Sequence, residues 1–228
     1  MFKPKHDIQI NLKNEKEVFR LIRLLVFTFV LSAALMGLPD YIWNMTWYHI
    51  SLFTIPWLIA VPAIIDCVSR KLNWREVLGD HIFRQIILGI AIGIVLGTIS
   101  FLLDYWISGG SVAQIYGNNV WIVVRAFCKY VFVVGPSEEL IYRVAIMGSV
   151  ENLISRHRWI APLAANSLFA LSHLFQHGWQ NVAFAFVVGT IYTMLYYKWK
   201  RCGYIMIALI HGMFDFTVVF VPYVLMKI

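Results

Sequence analysis

The chain has 228 residues, of which 60% are hydrophobic, 16% aromatic and only 14% charged, and its mean hydropathy is +0.71. Soluble domains carry about 25% charged residues, so this composition excludes an ordinary soluble protein. Several apolar segments approach the roughly 20 residues that a helix needs to cross a bilayer. The sequence therefore predicts an all-α fold, a polytopic bundle of transmembrane helices.

The net charge of +7 does not indicate nucleic acid binding, because the basic residues lie in short clusters beside apolar segments rather than on one face. The positive-inside rule accounts for these clusters instead. The first cluster forms a basic leader over residues 1–20 and continues to the first span: Lys3, Lys5, Lys13, Lys16, Arg20 and Arg23. We expect this leader in the cytoplasm and residues 21–228 to form one integral membrane domain, in contact with the lipid bilayer.

In chain order, the hydropathy and charge pattern predicts seven spans, with eight as the alternative. They cover about residues 24–38, 49–68, the segment ending near 103, 127–153, 160–175, 182–197 and 204–225. An interfacial turn over residues 120–125 is expected before the fourth span. Segments 39–47 and 104–119 contain no Lys or Arg and are expected outside the cell, whereas Arg70, Lys71, Arg75 and Arg84 mark a return to the cytoplasm.

Small residues have structural roles in this pattern. The third span contains Gly89, Gly93 and Gly97, four residues apart on one helical face, which predicts close packing against another helix. The three cysteines are odd in number and widely spaced, so they indicate neither a disulfide framework nor a cysteine metal site. We expect all three cysteines to be small core residues.

The fourth predicted span contains the segment GPSEELIYR, which places three ionisable residues inside the membrane. Charge at that depth costs a few kcal/mol or more per residue unless it is paired. Glu139 and Arg143 are four residues apart and can form an ion pair on one helical face. Glu138 points about 100° away from that face, so a second carboxylate is left without a structural explanation.

Two later spans also contain polar residues at mid-depth. The segment FALSH holds Phe169 and His173, and the segment HGMFD holds His211 and Asp215, each pair four residues apart. Because no lipid-facing position tolerates such groups, we expect those of the three spans to converge on one shared wet cavity.

These three motifs, EExxxR, FxxxH and HxxxN/D in this order, resemble the CAAX protease and bacteriocin-processing (CPBP, or Abi) intramembrane proteases, related to the type II CAAX prenyl endopeptidase. The resemblance covers about residues 125–220. It implies hydrolysis of a peptide bond inside the membrane, with Glu138 as the general base that takes a proton from water. His173 is expected to hold this water, and His211 to stabilise the oxyanion.

The same resemblance assigns supporting roles. Glu139 and Arg143 form a pair that fixes the helix, with Glu139 also near the water, and Phe169 supports the site. Asp215 either is protonated and donates to the oxyanion, or accepts from His211 and sets the orientation of its ring; we favour the second. An activated water needs no metal, although Glu138, His173 and His211 are also a possible ligand set for a divalent metal such as zinc.

Other candidate groups have simpler interpretations. Ser137 follows Pro136 and is expected to cap a helix that begins at Glu138, and no nucleophile motif surrounds Ser137, Ser172 or Cys128. His177 is expected near the outer membrane surface, away from the site.

The expected substrate is a membrane-embedded or amphipathic peptide or protein, in the processing of a leader, pheromone or bacteriocin or in self-immunity. The expected location is a bacterial plasma membrane. Two other functions remain open: a non-catalytic regulator or immunity protein of the same fold that binds a membrane partner, and a proton-coupled transporter in which Glu138 and His173 relay protons. The absence of a recognisable repeat disfavours the transporter.

Overall fold

The computed structural model describes residues 15–36, 45–109, 120–154, 159–199 and 201–225, without the side chains of residues 33, 35, 36, 45–52 and 175–177. Four predictions fall wholly or partly outside this part of the chain: the leader up to residue 14, the segment 39–44, the loop 110–119 and the side chain of His177. Within the described residues all regular structure is helical, which confirms the all-α prediction.

The helices, in chain order, are α1 Glu15–Met36, α2 Met45–Ser69, α3 Trp74–Leu78, α4 Ile82–Ile107, α5 Val120–Lys129, α6 Gly135–Glu139, α7 Met147–Leu153, α8 Ile160–Ser172, α9 Leu174–Lys198 and α10 Tyr204–Leu225. Two π-helical segments, π1 (Tyr130–Val134) and π2 (Leu140–Ile146), join α5, α6 and α7 into one long helix, Val120–Leu153. Three described helical stretches are long and apolar enough to cross a membrane: Trp74–Ile107, Val120–Leu153 and Tyr204–Leu225. The count of seven spans stays a prediction.

Two boundaries differ from the predictions. The first helix includes Glu15 and the residues that follow it, so the described end of the expected leader, residues 15–20, is helical. Residues 120–125 are not a separate interfacial turn but the first turns of the long helix, since α5 is continuous with π1. Both differences lengthen a helix beyond the apolar core that the sequence pattern detects.

The predicted glycine face is confirmed, and its partner is α10. A methyl group added at Gly93 would lie 2.6 Å from Met213 Cβ and 2.7 Å from the Ile210 carbonyl oxygen. Gly89 and Gly97 leave equally little space against the same helix. The backbones of α4 and α10 therefore approach closely, which fixes the helix that carries His211.

Gln85 holds the start of α10 against α4. Its side-chain oxygen accepts from the backbone N–H groups of Gly203 (3.0 Å) and Met206 (3.3 Å), and its amide nitrogen donates to the carbonyls of Leu78 and Asp80. All four contacts use a side chain that is 2% exposed. This bonding sets the position of α10 along its own axis.

Candidate active site

The long helix carries the first motif across a change of helical geometry. Glu138 and Glu139 lie in α6, a short α-helical stretch between π1 and π2, and Arg143 lies within π2. A π-helical turn is rare, contains an extra residue and is frequent at functional sites. One π-helical segment therefore precedes the two carboxylates and the other follows them.

The long helix and α10 cross at two glycines. A methyl group at Gly135 would lie 2.7 Å from the backbone nitrogen of Gly212, and one at Gly212 would lie 2.8 Å from Val131 Cα. Any larger residue at either position would separate the helices. Because Gly212 follows His211, this contact brings the His211 ring to the two glutamates.

Glu139 is the most enclosed carboxylate of the site. Its side chain is fully buried, and Oε2 lies 3.2 Å from Nε of the equally buried Arg143, so the ion pair expected from the spacing is present. Its other oxygen, Oε1, accepts from Nδ1 of His211 at 2.8 Å. The contact with His211 was not predicted, and it links the first motif directly to the third.

Arg143 connects the long helix to α8 and α9. Its Nη2 donates to the Gly189 carbonyl oxygen at 3.2 Å, and its guanidinium carbon lies 4.4 Å from the centre of the Phe169 ring. A cation over an aromatic face is attracted by the ring quadrupole. Arg143 therefore joins the carboxylate, the FxxxH motif and the backbone of α9.

Glu138 has a different environment from its neighbour. Its side chain is 26% exposed, and Oε2 lies 3.8 Å from His211 Nε2. Among the described residues neither this oxygen nor Oε2 of Glu139 has a hydrogen-bond partner, but Oε2 of Glu139 faces Arg143 in the ion pair. The two adjacent glutamates are thus distinct: Glu139 is fully buried and held by Arg143 and His211, and Glu138 is partly exposed, with Oε2 3.8 Å from the ring.

His211 lies among three carboxylates. Besides Glu139 at Nδ1 and Glu138 near Nε2, Oδ2 of Asp215 lies 3.5 Å from Nε2. The expectation that Asp215 orients this ring is therefore incomplete, because Glu139 makes the shorter contact, on the other nitrogen. Since Nδ1 donates to a carboxylate, a donor role at Nε2 requires the doubly protonated, positively charged ring.

His173 lies at the junction of α8 and α9. Its Nδ1 is 2.9 Å from the Phe169 carbonyl oxygen, which can only accept, so Nδ1 carries the proton and a neutral ring presents Nε2 as an acceptor. The Phe169 ring contacts both histidines, with centroid distances of 4.8 Å to His173 and 5.8 Å to His211. The second and third motifs therefore meet at this ring, and the shared wet cavity stays a prediction.

Sequence reasoning missed Tyr192 of α9. Its ring centroid lies 5.0 Å from that of His211, it is 1% exposed, and its hydroxyl has no hydrogen-bond partner among the described residues. Tyr192 packs against the His211 ring, which Phe169 also contacts edge-on. No motif contains this residue, so only the packing of α9 against α10 reveals it.

The serines near the motifs donate to helix carbonyls. Ser137 Oγ donates to the Val134 carbonyl oxygen at 3.1 Å, and Ser172 Oγ to that of Phe169 at 2.7 Å. Ser137 does not cap a helix as expected, because the helix is continuous through Val134. Cys67 and Cys202 are buried core residues, as expected, whereas Cys128 is only half-buried.

The predicted metal ligands do not form a coordination sphere. Within the described part of the chain, no group of three or more His, Cys, Asp or Glu side chains is arranged to hold a metal ion. Both histidines use Nδ1 for protein contacts, His211 to Glu139 and His173 to a backbone carbonyl, so only Nε2 of each ring is open to a ligand. Because the described residues hold no such group of three, Glu138, His173 and His211 as they lie do not form a zinc site, and no reaction step is derived through a metal.

A protein-family model described as type II CAAX prenyl endopeptidase Rce1-like matches residues 116–217, which contain all three motifs. Residues 116–217 of this chain are thus similar to the CPBP/CAAX protease family. The matched segment is a little under half of the chain and leaves α1, α2, α3 and the whole of the glycine-rich α4 outside it. No curated protein and no solved structure matched the chain. This similarity and the apolar helices support an intramembrane protease.

Proposed function

We propose that this protein is an intramembrane endopeptidase that hydrolyses a peptide bond of a membrane-associated peptide or protein with a water activated by Glu138. The supporting observation is the contrast between two adjacent glutamates. Glu139 is fully buried and held by Arg143 and His211, whereas the Glu138 side chain is 26% exposed, with Oε2 3.8 Å from His211 Nε2. A carboxylate at a partly exposed position beside a histidine suits a general base.

In the proposed reaction, water adds to the carbonyl carbon of the scissile bond while Glu138 takes a proton from it. The carbonyl oxygen becomes an oxyanion, which accepts a hydrogen bond from the protonated Nε2 of His211. Glu138 then gives its proton to the leaving nitrogen, the carbon–nitrogen bond breaks, and a carboxylic acid and an amine are formed. His173 accepts a hydrogen bond from the attacking water through Nε2.

Glu139 and Asp215 support this role of His211. A positively charged ring is stabilised by nearby negative charge, and Glu139 Oε1 lies 2.8 Å from one nitrogen while Asp215 Oδ2 lies 3.5 Å from the other. Glu139 also fixes the ring through the buried pair with Arg143. We therefore propose that Glu139 holds the ring and that Asp215 offsets the positive charge next to the reacting atoms.

The proposed substrate is a peptide or protein that reaches the site from the bilayer, because the motif-bearing helices are apolar and the site lies within the span Val120–Leu153. Processing of a peptide leader, pheromone or bacteriocin, or self-immunity, are the roles that fit such a substrate. We propose seven spans with a cytoplasmic amino terminus in a bacterial plasma membrane, on the basis of the basic clusters between apolar segments.

The test is cleavage of membrane-associated candidate peptides by purified protein in detergent. Glu138→Gln keeps the shape of the side chain but cannot take a proton, so we expect cleavage to fall by about 100-fold or more, which is the usual contribution of a general base. His173→Ala is expected to reduce cleavage strongly as well. Arg75→Gln, an exposed residue of α3, is the matched control with parental activity.

Accumulation and thermal unfolding of each variant separate loss of chemistry from loss of fold. Parental activity in folded Glu138→Gln would remove this residue from the base role. If the parental protein cleaves none of the peptides but binds a membrane partner equally well with and without Glu138→Gln, the non-catalytic regulator is the better description.

A further inference from the structure

A second buried acid–arginine pair lies outside the three motifs. In α2, Asp66 and Arg70 are four residues apart, with Nε of the arginine 2.7 Å from Oδ2 of the aspartate. Their side chains are only 3% and 5% exposed. Sequence reasoning assigned Arg70 to an exposed cytoplasmic cluster, but its guanidinium turns into the protein.

Arg70 bonds the backbone of the long helix within π2. Its Nη2 lies 3.3 Å from the carbonyl oxygen of Val144 and 3.3 Å from that of Ala145, more than 70 residues along the chain. Its Nη1 also packs against Gly148, where an added methyl group would lie 3.0 Å from that nitrogen. The guanidinium thus lies against π2 and the first turn of α7, in close contact with Gly148.

Asp66 holds the arginine in this position. Besides the ion pair, its Oδ2 accepts from Ser149 Oγ, at 3.4 Å, one turn beyond the carbonyls that Arg70 binds. Both residues of the pair therefore contact the same stretch of the long helix. A buried pair needs such additional bonds to offset the cost of removing its charges from water.

The stretch that Arg70 binds is directly connected to the site. Val144 follows Arg143, the residue that pairs with Glu139, and Glu139 in turn binds His211. A π-helical turn is rare inside an α-helix, and any buried backbone group that it leaves without a helical partner needs a bond from outside the helix. A displaced carbonyl at Val144 would move Arg143 and, through Glu139, the ring of His211.

We propose that Arg70 is a positioning residue of the candidate active site, which acts through π2 and does not touch the reacting atoms. Asp66 aims its guanidinium, and Arg70 in turn fixes the geometry of the turn that carries Arg143. This inference rests on the proposed function in one respect, namely that the site is catalytic. It also gives α2, which lies outside the family match, a role in the arrangement of that site.

The test measures His211 directly and needs no substrate. Protein labelled with nitrogen-15 in its seven histidines is prepared in detergent, and the side-chain resonances of His211 are identified by their loss in His211→Gln. In Arg70→Gln we expect these resonances to shift by more than their line width, because the bond to Glu139 lengthens or breaks. Arg75→Gln removes one exposed positive charge of the basic cluster that contains Arg70, and it should leave the His211 resonances at the parental position.

A second control separates positioning from general destabilisation. Phe101→Ala creates a cavity near the end of α4, at a residue that is 6% exposed in the parent and lies outside the core cluster that contains π2 and Phe169. It should lower the unfolding temperature without moving the His211 resonances. Parental resonances in Arg70→Gln, or an equal shift in Phe101→Ala, would overturn the proposal.

Arg70→Gln leaves Asp66 buried and unpaired, and the variant can fail to fold for that reason alone. The double variant Asp66→Asn, Arg70→Gln removes both charges together and avoids this problem. We expect it to fold and still to shift the His211 resonances, and parental resonances in the folded double variant would refute the inference. The experiment measures the His211 resonances and not cleavage, so it tests the role of Arg70 even if the protein hydrolyses no peptide.

Discussion

Arg143→Ala tests how much the buried ion pair of the long helix contributes to stability. The arginine loses three contacts at once: Glu139 Oε2 at 3.2 Å, the Gly189 carbonyl at 3.2 Å and the face of Phe169 at 4.4 Å. It also leaves Glu139, which is fully buried, without its cation. Removal of one partner from a buried pair costs about 3–5 kcal/mol, most of it from the charge that stays unpaired.

The lower end of that range applies here, because Glu139 keeps its 2.8 Å contact with His211. We therefore expect Arg143→Ala to lower the free energy of unfolding by about 3 kcal/mol. In a chain of this size, each kcal/mol of lost stability lowers the unfolding temperature by about 2–4 °C. The unfolding temperature of Arg143→Ala should therefore fall by roughly 6–12 °C. Thermal unfolding of the purified protein in detergent, followed by circular dichroism, measures it.

Two further variants make the measurement specific. Arg75→Ala, at an exposed position, is expected to change stability by less than about 0.5 kcal/mol. The double variant Glu139→Gln, Arg143→Met removes both charges and keeps similar volume, so it should recover most of the lost stability. If Arg143→Ala unfolds at the parental temperature, Glu139 is not held by a buried ion pair and the reasoning fails.

Two other predictions concern α10. Asp215→Asn keeps the shape of the side chain and a group that can face His211, so peptide cleavage should fall only modestly. Cleavage by Asp215→Ala should be at least tenfold slower than by Asp215→Asn, and parental cleavage by Asp215→Ala would remove this position from the site. Gly93→Ala adds a methyl group 2.6 Å from Met213 Cβ, so the free energy of unfolding in detergent should fall by about 1–3 kcal/mol. Ala91→Val, on the exposed face of α4, should leave it nearly unchanged. Equal stability of the two variants would mean that α4 and α10 separate at little cost.

The sequence predicted the groups of the site because their spacing and depth are local properties. Glu139 and Arg143, and likewise Phe169 and His173, are four residues apart on single helices, so one helical turn is enough to bring each pair together. The glycine face of α4 was predictable for the same reason. In each case the pattern and its structural consequence lie on one helix.

The contacts between helices were not predictable in this way. The bond from His211 to Glu139 depends on the crossing at Gly135 and Gly212, and neither glycine belongs to a recognisable series. Arg70 did carry a signal, since Asp66 precedes it by four residues as Glu139 precedes Arg143. The positive-inside rule counts basic residues near span ends without regard to such partners, and this hid the second pair.

The π-helical turns make the long helix sensitive to its length as well as to its composition. A π-helical turn contains an extra residue relative to an α-helix, so loss of a single residue from Leu140–Ile146 would convert π2 into regular helix. Everything beyond it, Met147–Leu153 included, would then rotate relative to Glu139, and the carbonyls that face Arg70 would turn away. The arrangement of Arg143 and Arg70 around the site therefore depends on the number of residues in this turn as well as on their identity.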